Sequence, residues 1–279
     1  MLRHVNRLRS AVYGIAIGDA LGLPVQFQSR DSYPEVTEMI KGKLPWPAGT
    51  WSDDTSLTLA TVDSLLTCEG VDVPDMRARF MDWMDNGAYT QDGEAFDQGF
   101  TTVHALTHGR GCTNEQSNGN GSLMRILPLA FVKNLSDEQI AQVSGITHAH
   151  PLSVEACTVY VHAAQLILDG FSLTEALETA SLSSEIFSYL ADIGSKKRNE
   201  IRSTGYVKDS LEASFWCLLT TDNFRDALIR AVNLGDDTDT IGAITGGMAG
   251  LVYGMESVPD SWMNALRKKE IIERCLASQ

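Results

Sequence analysis

Glycine recurs at every fourth position in two apolar stretches of the chain, and this spacing constrains the fold more than any other feature. The two rows consist of Gly14, Gly18 and Gly22, and of Gly242, Gly246, Gly250 and Gly254. Residues four apart lie on one face of a helix, and each glycine costs a helix about 1 kcal/mol relative to alanine. A glycine face therefore indicates that a neighbouring helix or a ligand approaches it very closely. We predict two central helices, each with an acidic motif at one end.

The rest of the sequence also favours helices. The periodicity of apolar residues predicts helices over residues 56–66, 140–143, 154–168, 173–180, 211–219 and 225–232. Ser136 and Ser172 stand where N-caps are expected, and Ser172 with Glu175 fits a capping box. Alternating strand patterns are scarce, and segments 28–50 and 109–121 have the composition of loops. We predict an all-α fold in which residues 1–279 form a single domain.

The charge balance excludes one large class of partner. The chain has 22 Lys and Arg residues against 36 Asp and Glu residues, which gives a net charge of −14. A protein that binds nucleic acid needs a basic face, so we expect no nucleic-acid partner. A small anionic substrate is compatible with this charge, because a bound metal ion inverts the local sign.

Targeting and redox features favour the cytoplasm. Three arginines precede an apolar run over residues 11–18 that loosely imitates a signal peptide, but Asp19 interrupts that run. The apolar run over residues 241–253 is shorter than the roughly 20 residues that a membrane span needs. The five cysteines are scattered and include no CxxC pair, so a disulfide framework is not expected. We expect a cytoplasmic protein with no membrane partner.

Two acidic clusters stand where helices are predicted to begin. Residues 52–55 read Ser-Asp-Asp-Thr, and residues 236–240 read Asp-Asp-Thr-Asp-Thr. Capping alone explains one such cluster, because these side chains satisfy free N–H groups at a helix start. It explains the pair less well, because crowded carboxylates in an apolar setting repel each other unless a cation lies between them. Oxygen ligands suit Mg²⁺ or Mn²⁺ better than zinc, so we predict a metal site with enough carboxylates for two ions.

A glycine-rich loop is a candidate for binding phosphate groups. Residues 117–125 read Ser-Asn-Gly-Asn-Gly-Ser-Leu-Met-Arg. Glycines let backbone N–H groups approach an anion, although a plain turn also explains the pattern and the loop lacks the ending of a Walker A motif. Arg125 leads into an apolar stretch, where we expect a structural partner rather than a phosphate. We interpret His104 and His108, which are four residues apart, as surface or packing residues.

Five motifs in order resemble the ADP-ribosylglycohydrolase family. They are Gly-Asp-Ala-Leu-Gly at 18–22, Trp-Ser-Asp-Asp-Thr at 51–55, Gly-Asn-Gly-Ser-Leu-Met-Arg at 119–125, Thr-His at 147–148 and Gly-Asp-Asp-Thr-Asp-Thr at 235–240. The resemblance extends from about residue 8 to residue 262. It implies an orthogonal bundle of helices around a central cleft, two Mg²⁺ or Mn²⁺ ions in that cleft, and the removal of ADP-ribose from protein side chains.

The resemblance also assigns roles to individual residues. The metal ligands that it implies are Ser52, Asp53, Asp54, Asp237, Asp239 and Thr240. The substrate-binding residues that it implies are Ser117, Asn118, Gly119, Asn120, Gly121, Ser122, Leu123, His148, Gly205 and Tyr206. Within that set, the loop from Gly119 to Leu123 would hold the diphosphate, and Tyr206 would stack on the adenine. The catalytic residues would be Asp53, Asp54, Asp239 and Gln26.

Gln26 departs from the family pattern, because several members have glutamate at this position. Glutamine cannot accept a proton as a base. For an active chain, the resemblance then implies that a water held by the metal ions, together with Asp53 or Asp54, does the work of the base. Gln26 would orient that water or a ribose hydroxyl.

The predicted reaction is the attack of water on the anomeric carbon of the distal ribose. By analogy with the family, arginine is the favoured acceptor side chain. Two other hypotheses stay open. Gln26 favours a module that binds ADP-ribose, or blocks a toxin, without turnover. A structural protein on the same fold is the second alternative, and the intact acidic clusters argue against it.

Overall fold

Helices make up the regular secondary structure of the part of the chain that the computed structural model describes, residues 2–42 and 45–277. Its α-helices are α1 (Val5–Gly22), α2 (Asp53–Thr67), α3 (Val73–Asn86), α4 (Phe100–His108), α5 (Asp137–Ser144), α6 (Pro151–Leu168), α7 (Leu173–Leu182), α8 (Val207–Leu219), α9 (Phe224–Val232), α10 (Thr238–Tyr253), α11 (Asp260–Ala265) and α12 (Lys269–Leu276). Short 3₁₀ turns connect several of them. No strand occurs within these ranges, which confirms the all-α prediction.

The two glycine rows face each other where α1 packs against α10. A Cβ atom added to Gly14 would overlap the carbonyl group of Gly246, and one added to Gly18 would overlap that of Gly242. The order of these pairs makes the two helices antiparallel, so the end of α1 lies beside the start of α10. The close approach is therefore that of a neighbouring helix. Gly254 does not belong to this seam: it ends α10 with a φ of 77° and faces Glu256.

The seam lies at the centre of the hydrophobic core. Val12 and Ile15 of α1 and Ile244 and Met248 of α10 are all buried. Helices α2, α8 and α9 pack around this pair. Within the described residues, one helix, α6, is long and apolar enough to cross a membrane by length and composition. Of its residues, 56% are buried inside the protein. Burial of this kind is also what a core helix shows.

Each predicted helix falls inside an observed one, but several observed helices begin earlier. Helix α2 begins at Asp53 and α6 begins at Pro151. Ser136 and Ser172 cap α5 and α7, and each forms a capping box, with Gln139 and Glu175 respectively. Sequence reasoning did not predict α3, α4, α11 or α12. In the described parts of segment 28–50 no helix forms, as expected for a loop.

Candidate active site

A carboxylate from α1 fixes the N terminus of α2. Oδ1 of Asp19 accepts a hydrogen bond from the backbone N–H of Ser52 over 2.9 Å. Oδ2 accepts one from the backbone N–H of Thr55 over 3.1 Å and another from the Thr55 hydroxyl over 2.6 Å. These bonds satisfy N–H groups that the start of a helix leaves free. They also hold the acidic cluster of α2 directly beside the end of α1.

The two acidic clusters lie at the starts of two helices that converge. Ser52 is the N-cap of α2, so Asp53 and Asp54 belong to its first turn. Asp237 takes the same position at the start of α10, with Asp239 in the first turn. Because α10 runs antiparallel to α1, its start reaches the end of α1 and meets the start of α2. The six metal ligands implied by the resemblance therefore lie together.

Two hydroxyl groups connect the clusters. The Ser52 hydroxyl donates to Oδ2 of Asp54 over 2.9 Å. The Thr240 hydroxyl lies 3.3 Å from Oδ1 of Asp237 and 3.4 Å from Oδ2 of Asp54, so it reaches a carboxylate of each cluster. Serine and threonine hydroxyls can thus add neutral oxygen atoms to the carboxylates of the site.

The residues present fit a divalent cation. One oxygen each of Asp19, Asp54 and Asp239 lies within 4.8 Å of the others, and all three side chains are buried. Oδ1 of Asp54 and Oδ2 of Asp239 have no hydrogen-bond partner. A buried carboxylate oxygen without a partner is strongly unfavourable, and a cation between these two atoms removes that penalty. All of the donor atoms are oxygens, which is the chemistry that Mg²⁺ and Mn²⁺ prefer.

The pKa shifts of the clustered carboxyl groups also favour a bound cation. Burial, and next the neighbouring carboxylate of Asp54, raise the pKa of Asp53 well above its usual range. Burial, and next the charge of Asp19, raise the pKa of Asp54 in the same way. Burial, and next the charge of Asp237, raise the pKa of Asp239. Burial raises the pKa of Asp19 to about 7, even though its four hydrogen bonds oppose the shift. In the described part of the chain, none of these carboxylates forms an ion pair with Lys or Arg.

A cavity of about 240 Å³ opens above this cluster. Its lining includes Asp53, Asp237 and Thr240 from the two acidic helix starts. The remaining lining residues come from four other segments, and they are Gln26, Phe27, Asp97, Gly99, Phe100, Thr101, Thr102, Gly119, Asn120, Gly121, Met124 and His148. The cavity therefore joins the carboxylate cluster to the glycine-rich loop.

Gln26 forms a hydrogen bond with a second acid that sequence reasoning missed. Its side-chain amide donates to Oδ2 of Asp97 over 2.7 Å. Asp97 has a φ of 56°, a left-handed conformation that is uncommon for residues other than glycine. A carboxylate thus lies in the cavity beside position 26 even though residue 26 itself cannot act as a base. The run Phe96-Asp97-Gln98-Gly99 had no helical or capping pattern, so nothing marked Asp97 in advance.

His148 reaches the cavity across the glycine-rich loop. A Cβ atom at Gly121 would lie only 2.7 Å from Cε1 of His148, so the loop needs glycine there. Nδ1 of His148 lies 2.9 Å from the Thr147 hydroxyl, which also accepts a hydrogen bond from Arg125 over 2.9 Å. Because Arg125 only donates, the Thr147 hydroxyl keeps a proton that it can donate to Nδ1, and in that tautomer the ring carries its own proton on Nε2. Burial lowers the pKa of His148 to about 3, so the imidazole is neutral.

Arg125 is a buried structural cation, as its apolar neighbours indicated. Its guanidinium lies 4.5 Å from the ring centroid of Phe80 and donates to the carbonyl group of Val143 over 3.2 Å. Burial lowers its pKa to about 10. It does not line the cavity, and its effect on the site passes through Thr147 and His148.

The segment that contains Gly205 and Tyr206 packs against the glycine-rich loop. The backbone N–H of Asn120 donates to the carbonyl oxygen of Gly205 over 3.0 Å. The side-chain amide of Asn120 donates to Oδ2 of Asp237 over 2.6 Å, so this residue connects the loop to the acidic cluster. The Tyr206 side chain is 40% exposed, which leaves its ring accessible to a ligand.

Six of the residues implied for substrate binding do not line the cavity: Gly205, Tyr206 and four residues of the loop segment. The Ser122 hydroxyl lies 2.9 Å from that of Ser144, below the loop, and Leu123 is part of the core. The Asn118 side chain accepts a hydrogen bond from Ser153 over 2.9 Å, and the Ser117 hydroxyl bonds to Asn114. In this geometry these residues shape the loop, while Gly119, Asn120 and Gly121 form its exposed edge.

Helix starts that converge on a buried carboxylate cluster, next to a glycine-rich loop, define a class of all-α protein with an acidic cavity whose carboxylates could hold a cation. Residues 2–279 match the family model described as ADP-ribosylglycohydrolase. The chain belongs to the ADP-ribosylglycohydrolase family.

Similar proteins span almost the whole chain. The ADP-ribosylarginine hydrolase Tri1 of Serratia proteamaculans is 33% identical over 290 residues, which cover 99% of this chain and 79% of that protein. The ADP-ribosyl-[dinitrogen reductase] glycohydrolase of Rhodospirillum rubrum is 29% identical and is covered over 94% of its length. A solved structure described as an ADP-ribosylglycohydrolase-related protein complex matches with a TM-score of 0.82 and 30% identity, covering 98% of this chain and 96% of that one.

Proposed function

We propose that this protein is a metal-dependent hydrolase that removes ADP-ribose from modified arginine side chains of proteins. The observation that carries the proposal is the cavity that joins the carboxylates of two helix starts to the glycine-rich loop. Relatives named for the hydrolysis of ADP-ribosylarginine support the choice of substrate. The acidic charge balance supports a protein or small-molecule substrate rather than nucleic acid. The five free thiols support a reducing compartment such as the cytoplasm.

The chain would hold ADP-ribose along the loop. Gly119 and Gly121 line the cavity, and their backbone N–H groups would suit the oxygens of a diphosphate. His148, neutral and with Nε2 towards the cavity, would donate a further hydrogen bond without adding charge. Tyr206, beside Gly119, would stack on the adenine ring.

The carboxylate cluster would lie below the distal ribose. Asp53, Asp54, Asp237 and Asp239, with the hydroxyl of Thr240, would hold two Mg²⁺ or Mn²⁺ ions. Such ions, when bound, position the ribose hydroxyls and make a water molecule more acidic. Asp19 would act indirectly, because both of its oxygens are already hydrogen-bonded to the start of α2.

Asp97 is the acid that we assign to proton transfer. It lines the cavity outside the buried cluster, and Gln26 holds its orientation. Asp97 would take a proton from the attacking water while the water oxygen forms a bond to the anomeric carbon. The bond from that carbon to the arginine nitrogen breaks, and the leaving guanidine takes up the proton. Gln26 is then a positioning residue, which accounts for an amide where several family members have a carboxylate.

The test is hydrolysis of a defined conjugate. Purified protein is incubated with a mono-ADP-ribosylated arginine protein and with a serine conjugate, in Mg²⁺, in Mn²⁺ and in EDTA. We expect release of ADP-ribose from the arginine conjugate with either metal and none in EDTA. Asp239→Asn serves as the inactive control. Absence of release from both conjugates by the wild-type protein would overturn the proposal.

The same samples separate the two alternative functions. A module that binds without turnover would show a dissociation constant for ADP-ribose by calorimetry but no release, even in a single-turnover assay. A purely structural protein would bind neither ADP-ribose nor Mg²⁺. The unpartnered oxygens of Asp54 and Asp239 argue against the structural alternative, because without a cation they only destabilise the fold.

A further inference from the structure

Two exposed phenyl rings line the active-site cavity. Phe100 is 84% exposed and Phe27 is 74% exposed, and they are the two most exposed large apolar side chains in residues 2–42 and 45–277. Both contribute to the wall of the same cavity. An exposed phenyl ring forgoes the stabilisation that burial would give it, and exposed apolar side chains grouped around a cavity are typical of ligand sites.

The backbone holds Phe27 in place at some energetic cost. Its φ of 60° lies in the left-handed region, where a bulky side chain is unfavourable. Its N–H donates to the carbonyl oxygen of Asp236 over 2.6 Å, and the N–H of Asp236 donates to that of Gln28 over 2.8 Å. Asp236 has a φ of 59° as well. Strain of this kind at a cavity indicates that the position of the ring matters for function.

Phe100 is positioned by a row of rings on α4. It is the first residue of that helix, and its ring stacks on His104 with centroids 5.9 Å apart. His104 in turn stacks on His108 at 4.1 Å. The row begins at the cavity and continues along the exposed face of α4.

The acceptor side chain would lie beside the two rings. This step rests on the proposed function. ADP-ribose along the Gly119–Gly121 edge brings the anomeric carbon above the carboxylate cluster. The acceptor side chain then leaves past Gln26 and Asp97, which are hydrogen-bonded to each other. Gln26 directly precedes Phe27 in the sequence, and Asp97 precedes Phe100.

We propose that Phe27 and Phe100 bind the guanidinium group of the acceptor arginine between their faces and so determine the choice of linkage. A guanidinium is planar and cationic, and it stacks on aromatic faces. The carboxylate of Asp97, which lines the same cavity outside the proposed metal cluster, favours the positive charge. A serine acceptor has neither a charge nor a planar group, so these rings give it no comparable interaction.

Substitution at both positions tests the proposal. The double variant Phe27→Ala/Phe100→Ala is compared with Phe→Leu and Phe→Tyr pairs, because leucine keeps apolar area without a π face and tyrosine keeps the face. We expect the alanine and leucine pairs to lower kcat/KM for the arginine conjugate about tenfold, and the tyrosine pair to stay near wild type. Hydrolysis of the serine conjugate and the dissociation constant of free ADP-ribose by calorimetry should change less than about twofold. Phe171→Ala, a partly exposed phenyl ring outside the cavity, is the matched control.

Three outcomes would overturn the inference. Full activity of the leucine pair on arginine conjugates would show that apolar area alone matters. A parallel loss of affinity for free ADP-ribose would place the rings on the nucleotide instead of the acceptor. Wild-type protein that releases ADP-ribose from neither conjugate would overturn the proposed function, and this inference with it. The wild-type assay therefore distinguishes that failure from the other two.

Discussion

The side-chain amide of Gln26 donates a hydrogen bond of 2.7 Å to Oδ2 of Asp97, and both side chains line the cavity. This bond holds a carboxylate whose backbone is itself in a strained conformation. Hydrogen bonds to charged groups contribute about 1.5–3 kcal/mol. The orientation of Asp97 therefore depends on a residue that cannot accept a proton.

We expect Gln26→Ala to lower kcat on the arginine conjugate at least about tenfold, because Asp97 loses the donor that orients it. KM should change much less, since the loop side of the cavity is untouched. Steady-state kinetics in Mg²⁺ measures both constants. Gln28→Ala is the matched control, because the Gln28 side chain donates a long hydrogen bond of 3.5 Å to the Pro24 carbonyl oxygen and lies outside the cavity. An unchanged kcat in Gln26→Ala would refute the positioning role.

Asp239→Asn should have opposite effects on stability and on metal binding. Oδ2 of Asp239 has no hydrogen-bond partner and lies among other buried carboxylates. Removing its charge relieves repulsion, so the Tm of the metal-free variant should rise above that of the wild type. The increase in Tm that Mg²⁺ or Mn²⁺ gives the wild type should be lost.

Asp236→Asn provides the comparison for that experiment. Asp236 is an exposed acid at the edge of the same cluster, and asparagine also tolerates its left-handed φ of 59°. We expect this variant to keep the metal-induced increase in Tm. A metal-free Asp239→Asn protein that is less stable than the wild type would contradict the repulsion argument.

The stability of the metal-free protein should fall as pH rises. Burial raises the pKa of Asp19 from 3.8 to about 7, and the pKa values of Asp53, Asp54 and Asp239 are raised as well. A carboxyl with a raised pKa binds protons more tightly in the folded state than in the unfolded state. Its ionisation therefore costs about 1.4 kcal/mol of stability for each tenfold difference in proton affinity between the two states. We expect Tm in EDTA to decrease from pH 5 to above pH 7. Saturating Mg²⁺ should flatten this dependence, and a Tm in EDTA that rises over the same range would disprove the expectation.

Gly18→Ala should prevent α1 and α10 from packing. A Cβ at this position would overlap backbone atoms of Gly242, which cannot move aside as a flexible side chain can. We expect a loss of about 3 kcal/mol in the free energy of unfolding, or no folded protein, measured by urea denaturation. Gly70→Ala is the control, since nothing lies within 4 Å of a Cβ there. Equal stability of the two variants would show that the seam is not a close contact.

The sequence predicted the parts of the fold that depend on local patterns. The four-residue glycine spacing identified α1 and α10, since close helix packing removes side chains at regular intervals along a face. The capping boxes at Ser136 and Ser172 predicted the starts of α5 and α7, because a cap acts within one turn. Gly254 was assigned to the seam because its spacing matches, but a glycine just after a helix also serves to end it.

The parts of the site that depend on distant contacts were not predicted. Asp19 was noticed as a charge within an apolar run and as part of a family motif, but it was given no role in the site. Its bonds to Ser52 and Thr55 join residues far apart in the chain. Asp97 enters the cavity through a strained loop with no periodic pattern. Phe100 lies at the start of α4, whose short sequence carries no side-chain cap. Their roles follow from the path of the backbone, which no local pattern encodes.

The seam between α1 and α10 also determines when, during synthesis, the site can exist. The Thr238 hydroxyl donates to the carbonyl oxygen of Gly22 over 2.8 Å, across 216 positions of the chain. A nascent chain leaving the ribosome exposes Asp19, Asp53 and Asp54 long before α10 has been made. Until then the carboxylates of α1 and α2 lack the half of the site that faces them. The proposed binding of cations would therefore follow the completion of the core, and a polypeptide that stops before α10 cannot assemble the site.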